Sequence, residues 1–319
     1  MSHLHVRVTQ LQAQGNANLS VRLEAVCGQA LPAFSAGSHV DVFLPSGLIR
    51  QYSIASAPSS LDHYELCVKK EAASRGGSRF MHEGLALNAE LEISRPRNLF
   101  AIQPAAHHVL VAAGIGITPL LSMAAELHET GQSFALHYYT RTRAEAAYAG
   151  RLKSSYPQRC VRLHHSDEGK SPRHHIPEDL QRPETNSRVY LCGPNAFMSS
   201  MTERAIAFGW SQNQIHQEAF SVDVNTATNP EDSFEVQLHS SGQVVRVPAD
   251  QSIAQALLAA SIEVPLSCEQ GFCGACLTPV LQGTPCHRDS VLSDGEKLLN
   301  NQMTLCCSRS LSSRLVLDL

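Results

Sequence analysis

The 319-residue chain has few aromatic residues, a single tryptophan among a 6% total, and its charged residues amount to only 17%. The formal net charge of −4 leaves no basic field to hold nucleic acid or an anionic lipid surface by charge alone. Long apolar runs are also missing. The longest, Val109–Ala125, is interrupted by Gly114, Gly116, Thr118 and Pro119, which argues against a membrane span. The first thirty residues do not combine a basic start, an apolar stretch and a cleavage site, so the expectation is a cytoplasmic protein. Against these shortages stands a 43% hydrophobic content, enough for two or three domains with their own cores. Cysteine is plentiful, ten in all, and six of them fall between Cys268 and Cys307. Clustered cysteines in a reducing compartment point to a metal site rather than to a disulfide scaffold.

Hydrophobic patterning divides the chain into three stretches. Over residues 1–102, Val6 and Val8, Leu19, Val21 and Leu23, Val40, Val42 and Leu44, Tyr64, Leu66 and Val68, and Leu91 and Ile93 alternate with polar neighbours. Turn signals separate these runs, which predicts a closed antiparallel β-barrel. Over residues 103–224 the pattern changes to continuous apolar strands followed by helical stretches. Strands are expected at 108–113, 134–139, 160–165 and 188–192, and helices after Gly116, at 144–154 and at 196–208. That alternation predicts an α/β domain with a parallel sheet. Residues 221–233, SVDVNTATNPEDS, have linker composition. Residues 225–319 form the third stretch: a hairpin at 234–247, a helix at 253–260, a cysteine-rich loop and a last strand at 315–319.

Cys268, Cys273 and Cys276 follow the spacing C-x4-C-x2-C, with Cys306 separated by a further 29 residues. This is the plant-type [2Fe–2S] pattern, in which four thiolates hold two bridged irons. Gly271 and Gly274 allow a tight loop and bring bare backbone N–H groups towards the cluster sulfurs. The competing reading is a zinc site or unpaired thiols, but zinc favours paired knuckles and only one C-x2-C is present. Cys286, Cys306 and Cys307 compete for the fourth place. Neighbours on a strand point to opposite faces, so one of the adjacent pair faces the cluster, and Cys306 is the choice.

Two strand ends carry the second signal. Gly114-Ile115-Gly116-Ile117-Thr118-Pro119 joins a strand to a helix N-terminus, where a diphosphate finds N–H donors. Cys192-Gly193-Pro194 occupies the equivalent end of a later strand, and ligands of open α/β sheets bind along that edge. The pair predicts a nicotinamide dinucleotide cleft; each turn alone is equally a structural one. In the first stretch, Arg50, Tyr52 and Ser53 combine a phosphate-pairing cation with a flat ring. Gly76, Gly77 and Ser78 supply N–H and hydroxyl donors.

Taken in order, Arg-x-Tyr-Ser, Gly-Gly-Ser, Gly-x-Gly-Ile-Thr-Pro, Cys-Gly-Pro and the cysteine pattern resemble phthalate dioxygenase reductase and its relatives across nearly the whole chain. These are the flavin and iron–sulfur reductases of Rieske-type oxygenases, with the vanillate O-demethylase and carnitine monooxygenase reductases among them. His287-Arg288-Asp289-Ser290 and Leu305-Cys306-Cys307-Ser308-Arg309 resemble the same family. The resemblance implies an FMN-binding barrel, an NADH-binding α/β domain and a C-terminal β-grasp ferredoxin domain. It also implies a separate oxygenase partner in aromatic catabolism. By the same resemblance Thr118 and Cys192 lie near the reactive flavin edge, Phe220 covers the ring, and Arg141 meets the adenosine side. FMN over FAD rests on the resemblance, and NADH over NADPH rests mainly on it, since an arginine at 141 also suits a 2′-phosphate. Two rivals stand beside it: a reductase for another acceptor such as a cytochrome P450, and a cluster-only electron carrier. The 16 histidines show no ligand pattern with the cysteines and read as surface and structural.

Overall fold

In the computed structural model the described residues are 3–72, 74, 76–220, 233–269, 271 and 273–319. They form two units, residues 1–218 and 219–319. The linker expected at 221–233 lies, except for Ser233, outside the described residues.

The first unit contains two sheets. Strands β1 (Leu4–Gln14), β2 (Asn18–Ala25), β3 (Ser38–Phe43), β4 (Ile49–Ser53), β5 (Tyr64–Lys69), β6 (Glu90–Ile93) and β7 (Arg97–Asn98) form one of them. The main order is β4-β3-β6-β1-β2-β5, and the pairings within it are antiparallel. Its two end strands meet: Ile54 just beyond β4 bridges Leu66 of β5, and the Ala55 N–H donates to the Glu65 carbonyl at 2.7 Å. The alternating residues read from the sequence account for the core, with Val6, Val8, Val21, Leu23, Val40, Val42, Leu66 and Ile93 all buried. Between β5 and β6, a one-turn helix α1 (Gly77–Arg79) continues into a wider turn at Phe80–Gly84.

The second sheet is built from β8 (His107–Ala113), β9 (Phe134–Thr140), β10 (Val161–His165), β11 (Ser187–Cys192) and β12 (Ile215–Glu218). It is parallel throughout, in the order β10-β9-β8-β11-β12. Helices α2 (Ile117–Glu129), α3 (Ala149–Ser155), α4 (Glu178–Gln181) and α5 (Asn195–Phe208) belong to this half. The near-continuous apolar composition of β8 and β9 fits a strand buried on both faces: every residue of β9 is buried.

The helix expected at 144–154 is shorter than its pattern suggests. It starts only at Ala149, because Tyr148 takes a left-handed φ of 58° and a 3-10 turn occupies Arg143–Glu145. Tertiary contacts hold that segment. The Ala147 N–H donates to the Tyr138 hydroxyl at 3.2 Å, and the Asn16 N–H to the Ala144 carbonyl at 2.9 Å. Of the histidines expected to be surface and structural, several are structural. His108, His137, His164 and His165 are buried, and His137 bridges His164 (3.1 Å) and Asp179 (2.7 Å).

The second unit has the sheet order β14-β13-β19-β15-β17, made of β13 (Phe234–Leu238), β14 (Val244–Val247), β15 (Leu277–Gln282), β17 (Gln302–Thr304) and β19 (Arg314–Leu317). The small pair β16 (Pro285–Cys286) and β18 (Arg309–Ser310) stands apart. The central pair β13 and β19 is parallel, the remaining pairings antiparallel. Helix α6 (Ile253–Ala259) starts with a Ser252–Gln255 capping box and contributes Ile253, Ala254, Ala256 and Leu257 to the core. Helix α7 (Asp294–Leu299) has a similar box at Ser293 and Glu296. Among the described residues, no helix is long and apolar enough to cross a membrane.

Leu110, fully buried in the middle of β8, tests this packing. Leu110→Ala is expected to cost about 2–5 kcal/mol through lost burial and the cavity left behind, read as a lower denaturation midpoint by circular dichroism.

Candidate functional site

At the carboxyl ends of β8 and β11 the chain makes two turns that pack backbone to backbone. A Cβ on Gly116 would sit 2.3 Å from the Cys192 carbonyl oxygen and 2.6 Å from the Gly193 nitrogen. A Cβ on Gly193 would lie 2.9 Å from the Cβ of Ala113. Only glycine permits this approach. Gly114 has a different role: its φ of +57° turns the chain out of β8, with open space around it. Helix α2 starts at once, with Ile117, Thr118 and Pro119 buried in its first turn. The Thr118 hydroxyl donates to the Ile115 carbonyl at 3.0 Å. On the opposite side of the crevice Pro194 precedes α5. The sheet reverses direction of winding between β8 and β11, so this is the point where open α/β sheets take their ligands.

Glu218 was not singled out from the sequence, where Gln-Glu-Ala-Phe has no distinctive spacing. Strand β12 pairs it in register with Cys192, and the Ser53 hydroxyl donates to its Oε2 at 3.5 Å. One carboxyl thus joins the end of β4 to the crevice between β8 and β11. Burial pushes it up to about 8, only partly opposed by the Ser53 hydrogen bond. At neutral pH Glu218 therefore holds its proton. Burial first, and Glu218 second, also push the fully buried Cys192 well above the usual thiol range, so it stays a thiol.

Arg50 and Tyr52 lie on β4 beside Ser53. Gly77 is where Arg50 passes: a Cβ there would fall 2.7 Å from the arginine Cγ and 2.8 Å from Nε. The Arg50 guanidinium donates to the Ile49 carbonyl at 2.7 Å. Gly76, at φ +97°, opens α1, and Ser74 accepts from the Gly76 N–H at 3.2 Å. Ser78 donates to the same Ser74 hydroxyl at 3.0 Å. Burial raises Tyr52 to about 12, opposed by Arg50, so its ring is neutral and packed on the first sheet's core. Arg141 is exposed beyond the end of β9. Phe220 is partly exposed at the start of the second unit.

In the second unit Cys268 and Cys276 are buried, while Cys273 and Cys306 are partly exposed. Their thiols interact as a group. Contact with Cys268 raises Cys273 and is the first cause of the rise at Cys306; Cys306 in turn lowers Cys276. The Ala275 N–H points at the Cys273 sulfur, 3.4 Å away. Among the described residues no group of three or more His, Cys, Asp or Glu is arranged to hold a single metal ion.

The placement of Cys306 and Cys307 on a strand needs correction. Strand β17 ends at Thr304, and residues 305–307 form a turn, closed by the Ser308 N–H on the Thr304 carbonyl at 3.2 Å. What distinguishes the two thiols is packing. Cys307 is engaged by the Thr304 hydroxyl at 3.1 Å and fills the space beside Gly271, where a Cβ would come within 2.3 Å of its sulfur. Gly271 and Gly274 both have positive φ, at +78° and +71°. The loop around Cys273 thus depends on glycine for conformation and, at Gly271, for room.

Comparison with known proteins bears on this arrangement. Residues 236–311 match the 2Fe-2S iron-sulfur cluster binding domain family, and residues 93–215 match the N-terminal domain of the dimethylamine monooxygenase subunit DmmA-like family. The chain is 43% identical over 317 residues to a vanillate O-demethylase oxidoreductase of a Pseudomonas species, covering 99% of this chain and 100% of that one. Among solved structures, phthalate dioxygenase reductase superposes with a TM-score of 0.78 at 35% identity, over 100% of this chain and 98% of its own. An intact self-sufficient cytochrome P450 monooxygenase gives a TM-score of 0.82 at 38% identity; the match takes in 99% of this chain but 41% of that one. Phthalate dioxygenase reductase is described as a modular structure for electron transfer from pyridine nucleotides to a [2Fe–2S] centre. The glycine crevice suits a nucleotide of that kind, and the thiol group of residues 236–311 suits such a cluster.

The raised Glu218 carboxyl generates a pH prediction. A carboxyl near 4.5 when unfolded and about 8 when folded makes the folded state bind the extra proton between those values. Stability contributed by this group therefore falls as pH rises through that window. Glu218→Gln removes the dependence, so the variant should gain on the parent protein between pH 5 and pH 8 in denaturant titrations. A constant difference across that range would contradict the assignment.

Proposed function

The chain belongs to the phthalate dioxygenase reductase-like family of flavin and iron–sulfur reductases, and from that premise we propose that it passes electrons from NADH through FMN and a [2Fe–2S] cluster to a separate Rieske-type oxygenase or demethylase. The observation that carries this reading is the Ser53–Glu218–Cys192 junction, which brings the end of β4 against the crevice between β8 and β11. In this reading residues 1–102 form a closed FMN barrel, residues 103–224 the NADH domain and residues 225–319 a β-grasp ferredoxin domain. The working compartment is the cytoplasm, where NADH is available.

The flavin, when bound, accepts a hydride and releases electrons one at a time. The chain supplies position and charge. Arg50 and the N–H and hydroxyl groups of Gly76, Gly77 and Ser78 hold the FMN phosphate, as a guanidinium and a helix start suit that group. Tyr52 and Ser53 orient the ring. Gly114, Gly116, Ile117, Pro119, Gly193 and Pro194 line the dinucleotide crevice, with the α2 N-terminus towards the diphosphate. Thr118 and Cys192 flank the reacting edge, and hydride transfer there calls for alignment rather than an acid or base. Glu218, protonated at neutral pH, presents an O–H rather than a charge beside that edge. Phe220 would be the residue assigned to the flavin ring, and Arg141 would meet the adenosine half. Cys268, Cys273, Cys276 and Cys306 are the cluster ligands, the last in preference to Cys307, which the loop already engages.

The likeness to the reductase part of a self-sufficient P450 supports a second acceptor, a haem monooxygenase. Reduction of one partner type and not the other decides between them.

An anaerobic visible spectrum of FMN-loaded protein, before and after NADH, tests the electron path. Bleaching of both the flavin band and the broader cluster absorption is expected. In Cys306→Ser the cluster absorption should be lost while NADH still bleaches the flavin. Flavin and cluster absorption that NADH leaves untouched in the parent protein would overturn the proposal.

A further inference from the structure

The sheet order β10-β9-β8-β11-β12 gives a ligand in the crevice two directions in which to extend. The Ser53–Glu218 contact places the flavin side at the β12 end. If the nicotinamide meets the flavin there, as the reading above holds and on which this inference rests, the adenosine half extends over the carboxyl ends of β9 and β10.

Those two ends carry Arg141 and Arg143 after β9, and Asp167 and Glu168 after β10. The Asp167 N–H donates to the Arg141 carbonyl at 3.0 Å, which ties the two turns together. Across them Arg143 grips Glu168 with both arms: Nη2 donates to Oε2 at 3.0 Å and Nε to Oε1. Each partner shifts the other, Arg143 holding the Glu168 carboxyl below its ordinary range and Glu168 raising the Arg143 guanidinium. Arg143, His165, Glu168 and Lys170 stand around a cavity of about 470 Å³ with Leu163 and Tyr156 in its wall.

We infer that the Arg143–Glu168 pair selects NADH over NADPH at the adenosine ribose. The two nucleotides differ there by one 2′-phosphate. Recognition of that phosphate favours an arginine presenting a free fork, because two parallel N–H bonds match its oxygens. Arg143 already spends that fork on a carboxylate. Asp167 adds a second negative group at the same strand end, which repels a phosphate dianion, whereas a neutral ribose hydroxyl donates to a carboxylate at no such cost. Glu168 thus acts twice, as a mask over Arg143 and as an acceptor.

The test is the ratio of kcat/KM for NADH and NADPH in the FMN-loaded protein with ferricyanide as acceptor, for the parent, Glu168→Gln, and the double variant Arg143→Ala/Glu168→Gln. Calorimetric binding of 2′-AMP and 5′-AMP gives a readout independent of turnover. The parent should favour NADH. Glu168→Gln should shift the ratio towards NADPH by roughly threefold, the scale of one solvent-exposed ion pair, and tighten 2′-AMP selectively. The double variant should lose that gain, which separates release of Arg143 from simple removal of negative charge; Lys153 and Lys170, which also line the cavity, remain in both variants. A parent that uses NADPH as well as NADH overturns the inference, with Arg141 then the residue that accepts the phosphate. So does an unchanged ratio in Glu168→Gln, or a gain that survives in the double variant. A parent reduced by neither nucleotide overturns the underlying reading of the crevice instead.

Discussion

The approach of Gly116 to the Cys192 carbonyl is the constraint on which the first unit's crevice depends. Any side chain at that position would push the ends of β8 and β11 apart, since what it meets is backbone and cannot rotate away. With glycine there, α2 begins directly over the crevice and aims its first turn into it. Strand β12 then lies beside β11, and Glu218 comes into register with Cys192. Ser53, delivered by a different sheet, completes the junction. Three separate segments converge because two turns can touch.

A second glycine contact does comparable work in the other unit. Gly271 lets Cys307 sit under the cysteine loop, and the positive φ of Gly274 turns the chain between Cys273 and Cys276. The adjacent thiols are placed differently. Cys307 is buried against the Thr304 hydroxyl and beside Gly271, while the partly exposed Cys306 contacts Cys268 and Cys276 as well as Cys307. Both places therefore use the missing side chain of glycine to set how closely two segments approach.

Much of this was legible in the sequence, and for physical reasons. Period-two alternation in the first hundred residues reports a sheet with one buried face, and the buried valines and leucines follow it closely. Cysteine spacing is similarly direct, because a loop of fixed length can present three thiols to one centre in few ways. The strand-end glycines were legible as turns, though not the contact between them. Glu218 escaped notice because nothing local marks it: its environment is made by Ser53 and Cys192, distant in the chain. The helix expected over 144–154 lacks its first part, starting only at Ala149, for a related cause. The Ala147 N–H donates to the Tyr138 hydroxyl and the Ala144 carbonyl accepts from Asn16, which holds both alanines out of the helix that their own propensity favours. The turn at Cys306 likewise depends on Thr304 and Ser308 meeting across it.

The proposed electron path depends on where the flavin and nicotinamide rings meet. A crystal structure of the protein loaded with FMN and soaked anaerobically with the oxidised nucleotide measures that most directly. The flavin ring should lie against Tyr52 and Ser53, with the nicotinamide in the crevice between Gly116 and Cys192 and within reach of Glu218. A nucleotide seated away from the β8–β11 crevice, or a flavin without contact to Arg50 and Tyr52, would contradict the account.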